Sequence, residues 1–128
     1  MKIFGIGTDI VSIVRIKKSI KNKRFVRRVY NANEISKCKK LIKSEHCFAK
    51  RFAAKEAFSK ALGTGFRMNL NFKDIEVVNN KMGKPYYVKN KKITKIIQKN
   101  FKIKNFKCFL SISDEKNYST AFAIIQTS

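Results

Sequence analysis

Hydrophobic and polar residues alternate along the chain with two different periods, which predict a mixture of strands and helices. Strands with the two-residue period are predicted at Lys2–Ile10, Phe72–Val78, Tyr86–Val88, Phe106–Ile112 and Tyr118–Ile125. Helices are predicted over Val11–Tyr30 with a break near Asn22, from a cap at Asn33 with Glu34 in the first turn to Ile42, over Phe48–Leu62, and over Thr94–Phe101. Because strands and helices do not alternate regularly, the pattern indicates an α+β fold in a single domain, residues 1–128.

Glycine and turn-forming residues mark where these elements end or approach one another. Gly5 and Gly7 lie inside the first predicted strand, where glycine allows another backbone to come close. Gly63 stands at the position where a left-handed residue ends a helix. The segments Asn79–Pro85 and Asp114–Asn117 each separate two predicted strands, so both are expected to form hairpin turns.

The predicted helix Phe48–Leu62 places two charged residues on an otherwise apolar face. With 3.6 residues per turn, one broad face is shared by Ala49, Phe52, Ala53, Glu56, Ala57 and Lys60. A buried charge is costly without a partner. One interpretation is an ion pair between Glu56 and Lys60, worth a few tenths of a kcal/mol. The other is a site in which Glu56 and Asp9 meet across a metal ion while Lys60 faces an anion.

The chain is strongly basic, which indicates an acidic partner without identifying it. It has 128 residues, 30 Lys and Arg against 8 Asp and Glu, and a formal net charge of +22 at pH 7. Such a charge suits a nucleic acid, whose phosphates it would neutralise, and equally an acidic protein. A hydrophobic content of 44% excludes a disordered chain.

The cysteines and the lack of a long apolar stretch predict a soluble, cytoplasmic protein. Cys38, Cys47 and Cys108 form no Cys-x-x-Cys pair, and with only His46 beside them they offer no zinc-type ligand set. We expect reduced thiols. No stretch approaches the length of a membrane span, so no membrane partner is expected.

Four blocks of residues occur in order over nearly the whole chain. They are Gly5–Val11, Arg51–Gly65, Asp74–Val77 followed by Gly83–Tyr86, and Ser111–Asp114. Together they resemble the bacterial-type holo-acyl-carrier-protein synthases, which are small, Mg²⁺-dependent phosphopantetheinyl transferases. The resemblance implies the phosphopantetheinyl transferase fold and an enzyme of fatty acid biosynthesis. Its reaction transfers 4′-phosphopantetheine from coenzyme A to a serine of apo-acyl carrier protein and releases adenosine 3′,5′-bisphosphate.

The resemblance also implies residue roles. Asp9 and Glu56 would bind Mg²⁺ and act in catalysis with Lys60, which would stabilise charge on the pyrophosphate. Asp9 could accept the serine proton through a water molecule. The residues implied to bind coenzyme A are Arg51, Lys60, Gly63, Thr64, Gly65, Gly83, Lys84 and Pro85. Many family members have histidine where this chain has Asp114, so no catalytic role is carried over to that residue.

Partners follow from the same resemblance. Acyl carrier proteins are acidic, and the basic helix after Asp9 would dock them through Arg15, with Arg24 and Arg28 as further candidates. The family forms homotrimers with the coenzyme A site between subunits. The alternative is a small basic nucleic-acid-binding module. It explains the net charge but gives no purpose to Asp9, Glu56 or the glycine blocks.

Overall fold

A computed structural model describes all residues, 1–128, and contains five helices and five strands. In chain order they are β1 (Lys2–Ser12), α1 (Ile13–Ser19), α2 (Lys23–Val29), α3 (Ala32–Lys39), α4 (Ser44–Leu62), β2 (Val77–Asn79), β3 (Pro85–Tyr87), α5 (Lys91–Phe101), β4 (Phe106–Asp114) and β5 (Tyr118–Thr127). A short 3₁₀ turn, Phe72–Asp74, precedes β2. None of the helices combines the length and apolarity needed to cross a membrane.

The strands form two antiparallel sheets, so the predicted α+β class is confirmed. The larger sheet has the order β1–β5–β4, which pairs the N-terminal strand with the C-terminal one. Strands β2 and β3 form a separate hairpin. One face of the larger sheet is covered by α4, and 25 buried hydrophobic residues from both layers form the core.

Two glycines of β1 allow α4 to lie unusually close to the sheet. A Cβ atom added at Gly7 would overlap the carbonyl oxygen of Ala57, and one added at Gly5 would overlap that of Ala61. Small side chains on α4 complete this contact, since Ala49, Ala53 and Ala57 have no exposed surface. The predicted close approach at the two glycines is therefore confirmed, and it fixes α4 against the middle of β1.

A buried ion pair joins α3, α4 and the segment before β2. The Lys55 ammonium donates to Glu34 Oε1 at 2.8 Å and to the carbonyl oxygens of Phe72 and Ile75 at 2.9 and 2.6 Å. Glu34 Oε2 accepts the Val77 backbone N–H at 3.0 Å. Both side chains are at most 1% exposed, and every donor of Lys55 has an acceptor. The sequence pattern gave no sign of this network.

The structure corrects the predicted start of α3. The cap is Asn31 rather than Asn33, and it forms a capping box with Glu34, whose carboxylate accepts the Asn31 N–H at 3.0 Å. The spacing Asn-x-x-Glu is the sequence signature of that motif. The helix also ends at Lys39, before Ile42.

The predicted strand Phe72–Val78 is wrong over most of its length. Asp74 Oδ2 accepts the backbone N–H of Asn71 at 2.8 Å, and the residues between them form the 3₁₀ turn. The strand is only Val77–Asn79, because Lys55 takes the carbonyl groups of Phe72 and Ile75 that a longer strand would have paired.

The other element boundaries agree with the patterns to within a few residues. The predicted break near Asn22 is confirmed, since Asn22 caps α2 by accepting the N–H groups of Arg24 and Phe25. Gly63 ends α4 in the left-handed conformation, with φ of +81°. Helix α4 begins at Ser44, four residues before the predicted start, and α5 begins at Lys91, three residues before its own.

The expectation of reduced thiols is wrong for two of the three cysteines. Cys38 of α3 and Cys47 of α4 form a disulfide with their Cα atoms 5.4 Å apart, and Cys108 stays free. The packing of α3 against α4 brings these positions together. Their spacing in the sequence does not show it, because it fits none of the familiar cysteine motifs.

We predict that Lys55→Met destabilises the fold by about 3–5 kcal/mol, because it leaves the Glu34 carboxylate buried without its cation. Urea denaturation followed by circular dichroism measures the effect. Lys92→Met is the matched control, since it removes the 39% exposed partner of Asp74 and should cost at most about 1 kcal/mol. Equal midpoints for the two variants would contradict the structural role of Lys55.

Candidate active site

Three of the charged residues singled out in the sequence come together where α4 crosses β1. Asp9 lies on β1 opposite Ala121 of β5, and Lys60 extends from α4 towards it. The Lys60 ammonium is 3.1 Å from Asp9 Oδ1 and donates to the carbonyl oxygen of Thr8 at 3.0 Å. Its side chain is still 53% exposed, whereas that of Asp9 is 15% exposed. Lys60 can therefore turn to another anion without unfolding anything.

Glu56 completes this group, one turn before Lys60 on the same helix. Burial raises the pKa of the Glu56 carboxyl above its ordinary value, the negative charge of Asp9 raises that pKa further, and Lys60 opposes both. The ion pair expected by the simpler interpretation, Glu56 with Lys60, is replaced by one between Lys60 and Asp9. The negative charges of Asp9 and Glu56 repel each other, and the Lys60 ammonium is the single cation that offsets them. A further cation would therefore stabilise both carboxylates.

Asp9 and Glu56 fit a divalent cation whose remaining ligands come from a substrate and from water. No third His, Cys, Asp or Glu joins Asp9 and Glu56, so the protein alone cannot form a closed metal cage. Mg²⁺ is commonly bound by one or two carboxylates together with phosphate oxygens and water. Asp9 and Glu56 could hold such an ion beside a phosphate.

A larger cavity of about 900 Å³ opens on another side of α4 and is lined by basic residues. Its cationic lining consists of Lys37, Lys40, Lys43, Lys50, Arg51 and Lys116. Asp114 is the only carboxylate among the residues that line it. A cavity with this excess of positive charge suits a ligand that carries phosphate groups.

Arg51 lies at the inner wall of this cavity and is only 4% exposed. Its two terminal nitrogens contact Cys47 Sγ and Asn79 Oδ1, each at 3.1 Å, but the Nε atom is buried without a partner. Burial lowers the pKa of the guanidinium, although Glu34 and Tyr30 oppose this. The guanidinium therefore places a positive charge at the inner wall of the cavity.

The two groups face different sides of the same helix. Arg51 and Glu56 are five residues apart, which corresponds to a rotation of about 140° and a rise of about 7.5 Å along α4. Asp9 and Lys60 line a cavity of about 480 Å³ that shares no residue with the basic cavity. Within one chain, the carboxylates and the wall of the basic cavity are thus separate.

The remaining predicted ligand residues divide into two sets. Gly83 and Pro85 line the basic cavity, and Lys84 lies exposed between them in the β2–β3 turn. Gly63, Thr64 and Gly65 follow the end of α4 and line neither cavity. Their contact with a ligand stays a prediction.

The predicted docking residues are exposed on the first two helices. Arg15 lies in α1, which follows β1 directly, and its backbone N–H is capped by Ser12. Arg24 and Arg28 lie on α2 and, with Asn22, border a small surface cavity. All three guanidinium groups lack ion pairs within the chain.

Sequence reasoning missed two polar residues of the basic cavity wall, Asn79 and His46. Asn79 positions Arg51 and also donates to the carbonyl oxygen of Gly83 at 3.0 Å. His46 contacts Asp114 across 68 residues of sequence. The only signal for the histidine was that it is the single one in the chain, and nothing in the sequence singled out Asn79.

Comparison with known proteins shows the family of the chain. Residues 5–123 match the 4′-phosphopantetheinyl transferase superfamily. The holo-[acyl-carrier-protein] synthase of Pelagibacter ubique is 60% identical over 126 residues, covering 98% of each chain. The Neisseria meningitidis holo-[acyl-carrier-protein] synthase structure has a TM-score of 0.87 and 36% identity, covering 98% of this chain and 99% of that one.

A second solved structure contains a ligand. The holo-(acyl-carrier-protein) synthase of Bacillus anthracis, in complex with coenzyme A (3′,5′-ADP), has a TM-score of 0.82 and 35% identity, with both chains covered completely. The similarity thus extends over sequence and fold along nearly the whole chain. The chain belongs to the 4′-phosphopantetheinyl transferase superfamily.

Proposed function

We propose that this protein is a holo-acyl-carrier-protein synthase that acts in fatty acid biosynthesis. It transfers 4′-phosphopantetheine from coenzyme A to a serine of apo-acyl carrier protein. The observation that carries the proposal is the meeting of Asp9, Glu56 and Lys60 at the α4–β1 crossing in a member of this superfamily. Relatives named for this activity align with nearly the entire chain.

The reaction needs positioned charges more than covalent chemistry by the protein. The serine oxygen attacks the β-phosphorus of coenzyme A, and the bond from that phosphorus to the bridging oxygen breaks. Adenosine 3′,5′-bisphosphate leaves. Lys60 turns from Asp9 to the pyrophosphate and neutralises charge that develops on the leaving group. Asp9 then accepts the serine proton through a water molecule.

Asp9 and Glu56 are the residues that would hold Mg²⁺. When bound, the ion neutralises charge on the pyrophosphate oxygens and orients them. The pKa of Glu56 is raised first by burial and then by the charge of Asp9. This supports the role, because a half-buried carboxylate beside a second one is stabilised by a shared cation.

The proposal includes a homotrimer with each active site between two copies. Separation of the carboxylates from the basic cavity on two sides of α4 supports it, since one molecule of coenzyme A needs both. The uncovered face of the β1–β5–β4 sheet supports it as well. It exposes Ile6, Ile10, Phe109 and Phe122, each at least 41% exposed, and contact with another copy would bury them.

The basic helices α1 and α2 supply the docking surface for the carrier protein. Their arginines have no acidic partner within the chain, and an acidic helical protein would provide one. Arg15 is best placed, because α1 begins immediately after the strand that carries Asp9. The rival function, nucleic-acid binding, uses the same positive charge but leaves the carboxylates unexplained.

We predict that apo-acyl carrier protein incubated with this protein, coenzyme A and Mg²⁺ gains the mass of phosphopantetheine in a mass spectrum. Asp9→Asn and Glu56→Gln should each lower kcat/KM about a hundredfold or more, because the ion loses a ligand. Asp74→Asn is the control, since Asp74 lines neither cavity and pairs with Lys92. Absence of any mass gain with the wild type, or near-normal rates for both site variants, would contradict the proposal.

A mixing experiment tests whether the site lies between copies. Glu56→Gln and Arg51→Met should each be nearly inactive at low coenzyme A concentration. After the two variants are denatured and refolded together, activity should return towards about a quarter of the wild-type value, because random mixing in a cyclic trimer leaves about that fraction of interfaces with both residues intact. If both residues serve one copy, mixing restores nothing. Each variant refolded alone is the control.

Charge reversal at Arg15 should weaken the binding of one substrate only, the carrier protein. Arg15→Glu is expected to raise the KM for carrier protein at low salt, since like charges repel across the interface, and to leave the KM for coenzyme A unchanged. Added salt should reduce the difference from wild type. Steady-state kinetics with each substrate varied in turn measures this, with Lys99→Glu on α5 as the matched control. An equal effect of Lys99→Glu would show that the result depends on net charge alone, and it would contradict docking at Arg15.

A further inference from the structure

A separate, largely apolar cavity of about 290 Å³ lies beside β4, the edge strand of the larger sheet. The apolar residues that line it are Phe58, Tyr87, Val88, Ile93, Phe106, Cys108 and Phe109. Lys89 and Lys107 complete the lining. None of these residues lines the basic cavity or the cavity beside Asp9. The proposed transfer reaction therefore leaves this apolar cavity without a use.

The cavity lies where the two sheets meet without pairing. Strand β4 ends the larger sheet and β3 belongs to the separate hairpin, so no ladder of backbone hydrogen bonds joins them. Phe58 of α4 and Ile93 of α5 contribute to the wall and are only 1% and 3% exposed. Four elements of the fold, β3, β4, α4 and α5, thus enclose the cavity.

The apolar part of the lining presents carbon and sulfur atoms to a ligand. The Tyr87 hydroxyl donates to the carbonyl oxygen of Ala54 at 2.5 Å, so it already has a partner. Burial raises the pKa of the half-buried Cys108 thiol to about 12, although Lys89 opposes this. Cys108 therefore stays neutral and acts as a small apolar side chain. Such a wall suits an alkyl or aryl group.

The two lysines of the lining determine the charge of the ligand. Lys89 and Lys107 are exposed, and neither has an ion pair within the chain. The Lys89 ammonium lies 4.4 Å from the centre of the Phe106 ring and donates to the Phe106 carbonyl oxygen at 3.4 Å. No Asp or Glu occurs between Glu76 and Asp114, the segment that supplies every lining residue except one. The charge of the lysines is therefore available to an anion.

The volume of the cavity limits the size of the ligand. A water-sized group takes about 30 Å³ in a liquid, so the cavity holds roughly ten heavy atoms. Octanoate has about that many, with one negative charge and no other polar group. A nucleotide of the same volume would bury polar atoms against the apolar wall without partners, which is costly. Size, wall and charge together favour an alkyl chain that ends in a carboxylate.

We propose that this cavity binds a free medium-chain carboxylate, with the alkyl tail among Phe58, Ile93 and Phe106 and the carboxylate at Lys89. The tail contributes affinity because it leaves water. The carboxylate accepts a charge-assisted hydrogen bond from the Lys89 ammonium, and Lys107 adds positive charge nearby. The inference does not depend on the transfer reaction, since the ligand and the site differ from those of the proposed function.

Isothermal titration calorimetry with octanoate tests the chemistry of the ligand. Wild type should bind one octanoate per chain with a Kd of about 1 mM or tighter, as expected for a ligand of this size. Octylammonium has the same tail with the opposite charge, and acetate has the same charge without the tail. Each should bind at least roughly tenfold more weakly. Absence of octanoate binding, or equal affinity for octanoate and either of the other two, would overturn the inference.

Two variants test the place of binding. Lys89→Met keeps the stem of the side chain and removes its charge, so it should weaken octanoate binding roughly tenfold. Val88→Phe fills the cavity from its half-buried wall and should abolish binding. Lys99→Met is the matched control, since Lys99 is an exposed lysine of α5 outside the cavity, and it should bind as wild type does. Equal affinities of Lys89→Met and Lys99→Met would show a response to net charge alone and would overturn the inference.

Thermal unfolding separates a filled cavity from a damaged fold. Octanoate should raise the Tm of the wild type and of Lys99→Met, but not that of Val88→Phe. If Val88→Phe does not fold, Lys89→Met decides, because that side chain is exposed. A protein that transfers phosphopantetheine but binds no octanoate contradicts this inference alone. A protein that binds octanoate as described but transfers nothing contradicts only the proposed function.

Discussion

The contact between α4 and β1 is the constraint on which the rest of the structure depends. Gly5 and Gly7 have no Cβ atoms, which would overlap the carbonyl oxygens of Ala61 and Ala57 on the helix. At this distance the Lys60 ammonium reaches Asp9, and the charge of Asp9 raises the pKa of Glu56. A larger residue at either glycine would move the helix outward and separate the three charges. Core packing and site chemistry therefore depend on the same two positions.

Helix α4 lies between two chemically different regions of the protein, and most of its 19 residues are buried. One side of the helix packs its alanines against β1 and carries Glu56 and Lys60. Another side presents His46 and Arg51 to the basic cavity. A rigid helix keeps the two sets at a fixed rotation and rise. This geometry is the physical argument for the assembly of copies proposed above, in which two copies would share one ligand.

The buried pair of Lys55 and Glu34 fixes the irregular segment before β2 to α3 and α4. Lys55 satisfies carbonyl groups before β2 that no strand pairs, and Glu34 closes both the cap of α3 and the start of β2. These bonds position Val77, from which the chain continues to Asn79 and its contact with Arg51. The wall of the basic cavity is thus supported from inside the core, by charges that the solvent does not reach.

The sequence by itself determined the α+β class, the break at Asn22, the end of α4 at Gly63 and the closing hairpin, because these depend on local periodicity and turn residues. It also determined that Asp9, Glu56 and Lys60 were out of place among apolar neighbours. Only the tertiary structure decided that Lys60 pairs with Asp9 rather than Glu56, that Cys38 meets Cys47, and that His46 meets Asp114. Each of these contacts joins separate elements, and its distance is determined by how those elements pack, which no local pattern of residues records.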